Sequence, residues 1–169
     1  MHGSASLAGK VLAVADRGGL AYDPAAPPTE AWAPVSPILD MGWKGRAAVV
    51  GGILYSYDYL GQVKGYDPDT DCWSKVEGLE QELPKFLCGA TLANVGELLY
   101  LVWEGKWKGK GKAKGKGEAR SMVVIDWAAI AVTKAEEGRL TGKVLSRDTI
   151  VFKDMPKGSA ITHCIALEL

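Results

Sequence analysis

One stretch of this chain is written twice. Gly18-Gly19-Leu20-Ala21-Tyr22-Asp23-Pro24, followed by Trp32 and Val35, returns as Val63-Lys64-Gly65-Tyr66-Asp67-Pro68, followed by Trp73 and Val76. The Tyr-Asp-Pro units stand 44 residues apart and the tryptophans 41. A period of roughly 40–50 residues constrains the fold more than composition can, because one such unit cannot bury its apolar face alone and must stack on its neighbours. Stacked repeats build extended binding surfaces, so an enzymatic reading needs evidence of its own.

The second copy resolves into strands. Arg46-Ala47-Ala48-Val49-Val50 is an apolar run ending at Gly51-Gly52, a turn dipeptide that permits positive φ. Ile53-Leu54-Tyr55-Ser56-Tyr57 follows, then a turn at Leu60-Gly61-Gln62, then Val63-Lys64-Gly65-Tyr66. Asp67-Pro68-Asp69-Thr70-Asp71 is the next turn, in which Asp caps its own backbone and Pro presets φ. Trp73-Ser74-Lys75-Val76 closes the unit. Four short strands within one period form an up-and-down meander, the blade of a β-propeller. Across the chain, strands are expected near 10–15, 20–23, 46–50, 53–57, 63–66, 73–76, 89–94, 97–103 and 121–126.

The unit Leu54-Tyr55, Tyr66-Asp67-Pro68, Trp73, Val76 resembles a kelch repeat, and the first copy matches it from Lys10 to Val35. A degenerate third copy runs from Gly89-Ala90-Thr91-Leu92 through Val95-Gly96-Glu97-Leu98-Leu99-Tyr100. It resumes after an insertion at Val123-Val124-Ile125-Asp126, where Ile125-Asp126 takes the place of Tyr66-Asp67 and nothing matches Trp73. The Gly-Gly doublet of kelch repeats follows the second strand, whereas Asp58-Tyr59 stands there and Gly51-Gly52 lies before that strand. The resemblance implies an all-β fold, a partial propeller of about three four-stranded antiparallel blades at approximately 8–40, 45–80 and 88–150, with the tail 151–169 supplying a closing strand. A flexible Lys/Gly loop is expected over 105–119. Three blades fall short of the roughly four to eight of a closed ring, so missing repeats, another copy or a partner must close it.

Pro156-Lys157-Gly158-Ser159 and His163-Cys164-Ile165-Ala166-Leu167 make the chain similar to plant F-box/kelch proteins. In that family the propeller holds a protein substrate, while an N-terminal F-box docks to the adaptor of a cullin ubiquitin ligase. No F-box precedes the first strand, expected from about Leu7. The resemblance therefore implies the C-terminal part of such a protein, a protein-interaction module that reaches the ligase adaptor only if an F-box is supplied elsewhere.

A hydrophobic fraction of 47% with 21 glycines fits many short strands and turns in a single domain over 1–169. One segment stays open between helix and strand, Trp127 to Glu137 with its Ala128-Ala129-Ile130-Ala131-Val132 run. Cys72, Cys88 and Cys164 form an odd set without a pairing pattern, which suggests a reduced, intracellular protein, cytoplasmic or nuclear. Val11 to Ala15 is too short for a signal peptide, and no run approaches the roughly 20 apolar residues of a membrane span.

Net charge is zero but uneven: the span 104–120, with seven basic and two acidic side chains, carries +5 and the remainder −5. Lys106, Lys108, Lys110, Lys112, Lys114 and Lys116, with Trp107, are candidate contacts for an acidic partner, or for nucleic acid as an alternative. Glycine between the lysines and the repulsion of six like charges favour a loop over a strand. This loop joins the second and third strands of its blade, on the same end as the connections between blades.

Catalytic chemistry finds few residues. His163 and Cys164 are adjacent, so in a strand they face opposite sides and cannot meet one metal. A kelch-fold oxidase needs two copper-binding histidines, and one internal histidine argues against it. Asp67, Asp69 and Asp71 alternate like an EF-hand, but Cys72 and Gly78 occupy the loop's required Gly and Glu positions. No phosphate loop follows Gly18-Gly19 or Gly51-Gly52. No catalytic residue, metal or cofactor is expected. Tyr22, Trp32, Tyr66 and Trp73 are read as repeat-equivalent packing residues, Tyr55 and Tyr100 as second-strand positions, and Asp23, Pro24, Gly51, Gly52, Asp67 and Pro68 as turn formers. Trp43, Trp103, Trp107, Tyr57 and Tyr59 fall outside the repeat and are candidates for exposure.

Overall fold

The computed structural model describes residues 3–16, 18–43, 45–58, 61–87, 89–106, 121–155, 159–162 and 164. It is all-β apart from one short helix. In chain order the elements are β1 (Gly3–Leu7), β2 (Lys10–Ala15), β3 (Gly18–Tyr22), β4 (Trp32–Pro34), α1 (Pro37–Gly42), β5 (Ala47–Val50), β6 (Ile53–Tyr57), β7 (Val63–Asp67), β8 (Cys72–Glu77), β9 (Thr91–Val95), β10 (Leu98–Glu104), β11 (Ser121–Lys134) and β12 (Leu140–Met155).

Sequential antiparallel pairing produces three four-stranded meanders, β1 to β4, β5 to β8 and β9 to β12. Each opens with a two-residue hairpin in which both residues have positive φ: Ala8-Gly9 at 50° and 76°, Gly51-Gly52 at 55° and 78°, Gly96-Glu97 at 56° and 63°. Turns of this hand match the twist of the flanking strands and hold the hairpin tight. They recur 43 and 45 residues apart and are the most regular feature of the repeat.

Register across the hairpins fixes which residues correspond. Val11 pairs with Tyr22, Leu54 with Tyr66 and Leu99 with Ile130. Tyr22 pairs on with Trp32, Tyr66 with Trp73 and Ile130 with Val144. The third counterpart of Tyr66-Asp67 is thus Ile130-Ala131, five residues beyond the expected Ile125-Asp126, and Val144 stands where Trp73 does. The open segment from Trp127 is strand: β11 runs on to Lys134, because Ile130 and Val132 lie on the core side of the sheet while β12 supplies hydrogen-bond partners throughout. One extra residue, Leu145, interrupts that ladder between Val144 and Ser146 as a bulge.

Alternation gives every meander two sides. On side A lie Val11, Tyr22 and Trp32 of the first, Leu54, Tyr66 and Trp73 of the second, and Leu99 and Ile130 of the third. On side B lie Leu7, Leu12 and Val14, then Val50, Tyr55 and Val63, then Tyr100, Val102 and Trp127. The two cores are the two junctions between meanders. Leu7, Leu12 and Val14 pack with Leu54 and Tyr66, and Leu39 and Trp43 from the connecting segment plug the seam. Val50, Tyr55 and Val63 pack with Leu99, Leu101 and Ile130, with Leu79 and Leu87 from the next connection. The opening strands β1, β5 and β9 run side by side, and Asn94 Nδ2 of β9 donates to Val49 O of β5 at 2.8 Å.

Three features depart from the expected elements. β1 precedes the first expected strand. A helix forms at 37–42 because Ser36 Oγ accepts from Ile38 N at 3.1 Å and Pro37 sits in the first turn, where its missing N–H costs nothing. The second and third meanders are not separate sheets: β12 pairs in parallel with β8 through Leu140–Val76 and Thr141–Glu77, giving one eight-stranded sheet that folds over until its edge strands β5 and β9 meet. In the tail, 151–155 belong to β12 and 159–162 carry no strand; the other tail residues, apart from 164, lie outside the described ones.

Candidate interaction surfaces

The repeat residues fall into equivalent roles. Asp23 Oδ1 accepts from Ala25 N at 3.0 Å and Asp67 Oδ1 from Asp69 N at 3.1 Å, the same turn made twice, with Pro24 and Pro68 as the following residues. Tyr22 and Trp32 meet at a ring separation of 4.9 Å, Tyr66 and Trp73 at 5.5 Å. Their burial diverges. Tyr66 is buried and Trp73 half-buried, its Nε1 donating to Ile38 O at 3.0 Å while Gly42 makes room for the indole. Trp32 is 61% exposed, which corrects its reading as a packed residue. Side A of the second meander faces the first, whereas among the described residues nothing faces side A of the first. The irregular tryptophans reverse in the opposite sense: Trp43 and Trp103 are buried, one in each junction. Tyr57 is half-buried, and Tyr59 and Trp107 lie outside the described residues.

Polar groups are tied into the junctions. Asp67 is buried and its carboxylate meets Lys134 Nζ of β11 at 2.7 Å. Burial pushes the Asp67 carboxyl up, but Lys134 and the amide of Asp69 outweigh it and hold it below the usual carboxylate range. Burial pushes the Tyr66 phenol up to about 12, helped by Asp71, whose Oδ1 accepts the phenol proton at 2.6 Å. Tyr55, buried beneath the third meander, is also pushed up to about 12.

One end of the molecule gathers the 58–62 turn, the end of β10 and the 78–90 segment that joins the second meander to the third. Phe86 of the 78–90 connection is 75% exposed there; Ile38 and Met41 are exposed on α1, which packs on Trp73 of β8. Beside Phe86 lies a hollow of about 290 Å³, lined by Gly61, Val63, Val76, Leu79 and Leu83. Gly61, at φ 78°, lets the 58–62 turn close onto Lys85, whose carbonyl oxygen would lie 2.2 Å from any added Cβ. Lys75 and Glu80 form an ion pair of 2.7 Å at its rim. A second, polar hollow of about 510 Å³ is lined by Glu82, Trp103, Asp126, Trp127, Arg147 and Asp148. Thr149 Oγ1 donates to Asp126 Oδ1 at 2.6 Å, and Arg147 Nη1 donates to Glu82 O at 3.3 Å. The Lys/Gly segment leaves from this end: Gly105 N donates to Val124 O at 2.8 Å. Lys106 is exposed, while Lys108, Lys110, Lys112, Lys114 and Lys116 lie outside the described residues.

Two further apolar surfaces stand at opposite ends of the stack. Side A of the first meander shows Val11, Leu20, Tyr22 and Trp32, with a depression of about 500 Å³ beside Leu20 and Trp32. Side B of the third shows Tyr100 stacked on Trp127 at 5.6 Å, with exposed Ile150 and Phe152. An incomplete ring implies open end faces, but which residues line them was not legible in the sequence, because a face is recognisable only once register is known.

Among the described residues no three His, Cys, Asp or Glu side chains gather as a metal site, and no helix is long and apolar enough to cross a membrane. Cys72 is exposed and Cys164 half-buried, its thiol pushed up by burial. No protein-family model matches the chain, and no curated protein matches it.

Proposed function

We propose that this chain is a partial kelch-type β-propeller of three blades acting as a non-enzymatic protein-interaction module in the cytoplasm or nucleus, its partner engaged on the end that carries the 78–90 connection. The observation that carries this reading is Phe86, an aromatic side chain 75% exposed on the end from which the lysine segment departs. Interfaces favour apolar and aromatic centres with charge at the rim, and here an apolar hollow lies beside Phe86 with Lys75, Glu80 and Lys106 near the same end. The kelch resemblance suggests a substrate of a cullin-type ubiquitin ligase as the partner class, with adaptor docking supplied by an F-box outside this chain.

A photo-cross-linker placed at Phe86 should capture a discrete protein partner, and one at Asp69, at the opposite end, should not. With the cross-linker moved to the neighbouring, exposed Lys85, Phe86→Ser together with deletion of 106–117 should abolish capture while the fold is retained. Equal capture at both positions would contradict the reading. Capture of nucleic acid, with affinity falling steeply as salt rises, would support the alternative in which the lysines bind phosphate.

A further inference from the structure

The two open faces are of opposite kinds. Inside the chain the same junction is made twice, side B of one meander against side A of the next, first to second and second to third. Among the described residues, nothing covers side A of the first meander or side B of the third. Residue equivalence makes the match specific. Tyr22 and Trp32 occupy the positions of Tyr66 and Trp73, which side B of a preceding meander covers. Tyr100, Val102 and Trp127 occupy the positions of Tyr55, Tyr57 and Val63, and Tyr55 and Val63 are buried by side A of a following meander.

We infer that a second copy of this chain covers both faces, side B of the third meander seating on side A of the first in the partner, and the reverse. Each contact is head-to-tail, so it closes a ring or grows a filament. Two copies bring six meanders into one ring, within the roughly four to eight that propellers hold, whereas three copies would bring nine. Five large exposed apolar residues, Trp32, Val11, Leu20, Ile150 and Phe152, are then removed from water at each of two identical junctions per ring. The inference rests on the blade reading above and is independent of the partner surface on the connection end.

The test is a complementation experiment. The intact chain should sediment at twice its chain mass from low to high micromolar concentration. Trp32→Arg blocks side A and Trp127→Arg blocks side B, so each variant alone should sediment at the single-chain mass. An equimolar mixture should recover two-copy species, because the first variant retains side B and the second side A. These should dissociate at higher concentration than the intact pair, having one junction in place of two. Ile150→Arg, at a 47% exposed position on the same side B, replaces Trp127→Arg if circular dichroism shows that variant unfolded. A single-chain intact protein, a single variant that pairs with itself, or open polymers would each overturn the closure. The Phe86 cross-link would still stand or fall by its own result.

Discussion

At the scale of single residues, Gly65 sets how closely the second and third meanders approach. A Cβ at this position of β7 would lie 2.4 Å from Leu140 Cδ1 and 2.8 Å from Ile53 Cγ2, and Leu140 and Ile53 are both buried. Gly65→Val should therefore lower unfolding free energy by about 1–3 kcal/mol, the usual cost of overpacking a closed core; chemical denaturation that finds no loss would contradict this packing. Asp67 makes the electrostatic counterpart of that contact through Lys134. Its carboxyl is held below the normal range when folded, so the stabilisation is present above the unfolded value near 4 and is lost as pH falls through the folded one. Asp67→Asn should thus be less stable than the parent at pH 7, and the gap should close below about pH 4. A gap constant with pH would show that the pair contributes no net charge interaction.

At the scale of elements, repeat-equivalent positions need not carry equal energy. Trp73 is half-buried against Tyr66, Gly42 and the carbonyl of Ile38, whereas Trp32 is mostly in water. Measured below any concentration of association, Trp73→Ala should cost several-fold more stability than Trp32→Ala, whose loss should stay within the ~0.5 kcal/mol of surface substitutions. Equal losses would mean that side A of the first meander is covered within one chain. The same pair marks what sequence can and cannot carry. Strands bounded by Gly51-Gly52 or by Asp67-Pro68 were legible because turn chemistry is local. In the strand at 121–134 the counterpart of Tyr66 lies five residues beyond its expected place, because nothing in an insertion of unknown length fixes cross-strand register. β1 escaped notice although Ala8-Gly9 lies 43 residues before Gly51-Gly52 and offered the signal, Ala standing in for the first Gly. Burial of Trp43 and Trp103, and exposure of Trp32, depend on what lies across a seam. That information resides in no single segment.

At the scale of the whole molecule, one relation organises the rest: the three meanders repeat one unit and stack side B to side A. The buried cores at the two seams and the exposed apolar faces at the two ends are its consequences. Nuclear Overhauser contacts between side chains test it most directly. Contacts are expected from Leu12 and Val14 to the set Leu54 and Tyr66, and from Tyr55 and Val63 to the set Leu99 and Ile130. Contacts of Leu12 with Tyr55, or of Leu54 with Leu99, would place the wrong sides together and contradict the stacking.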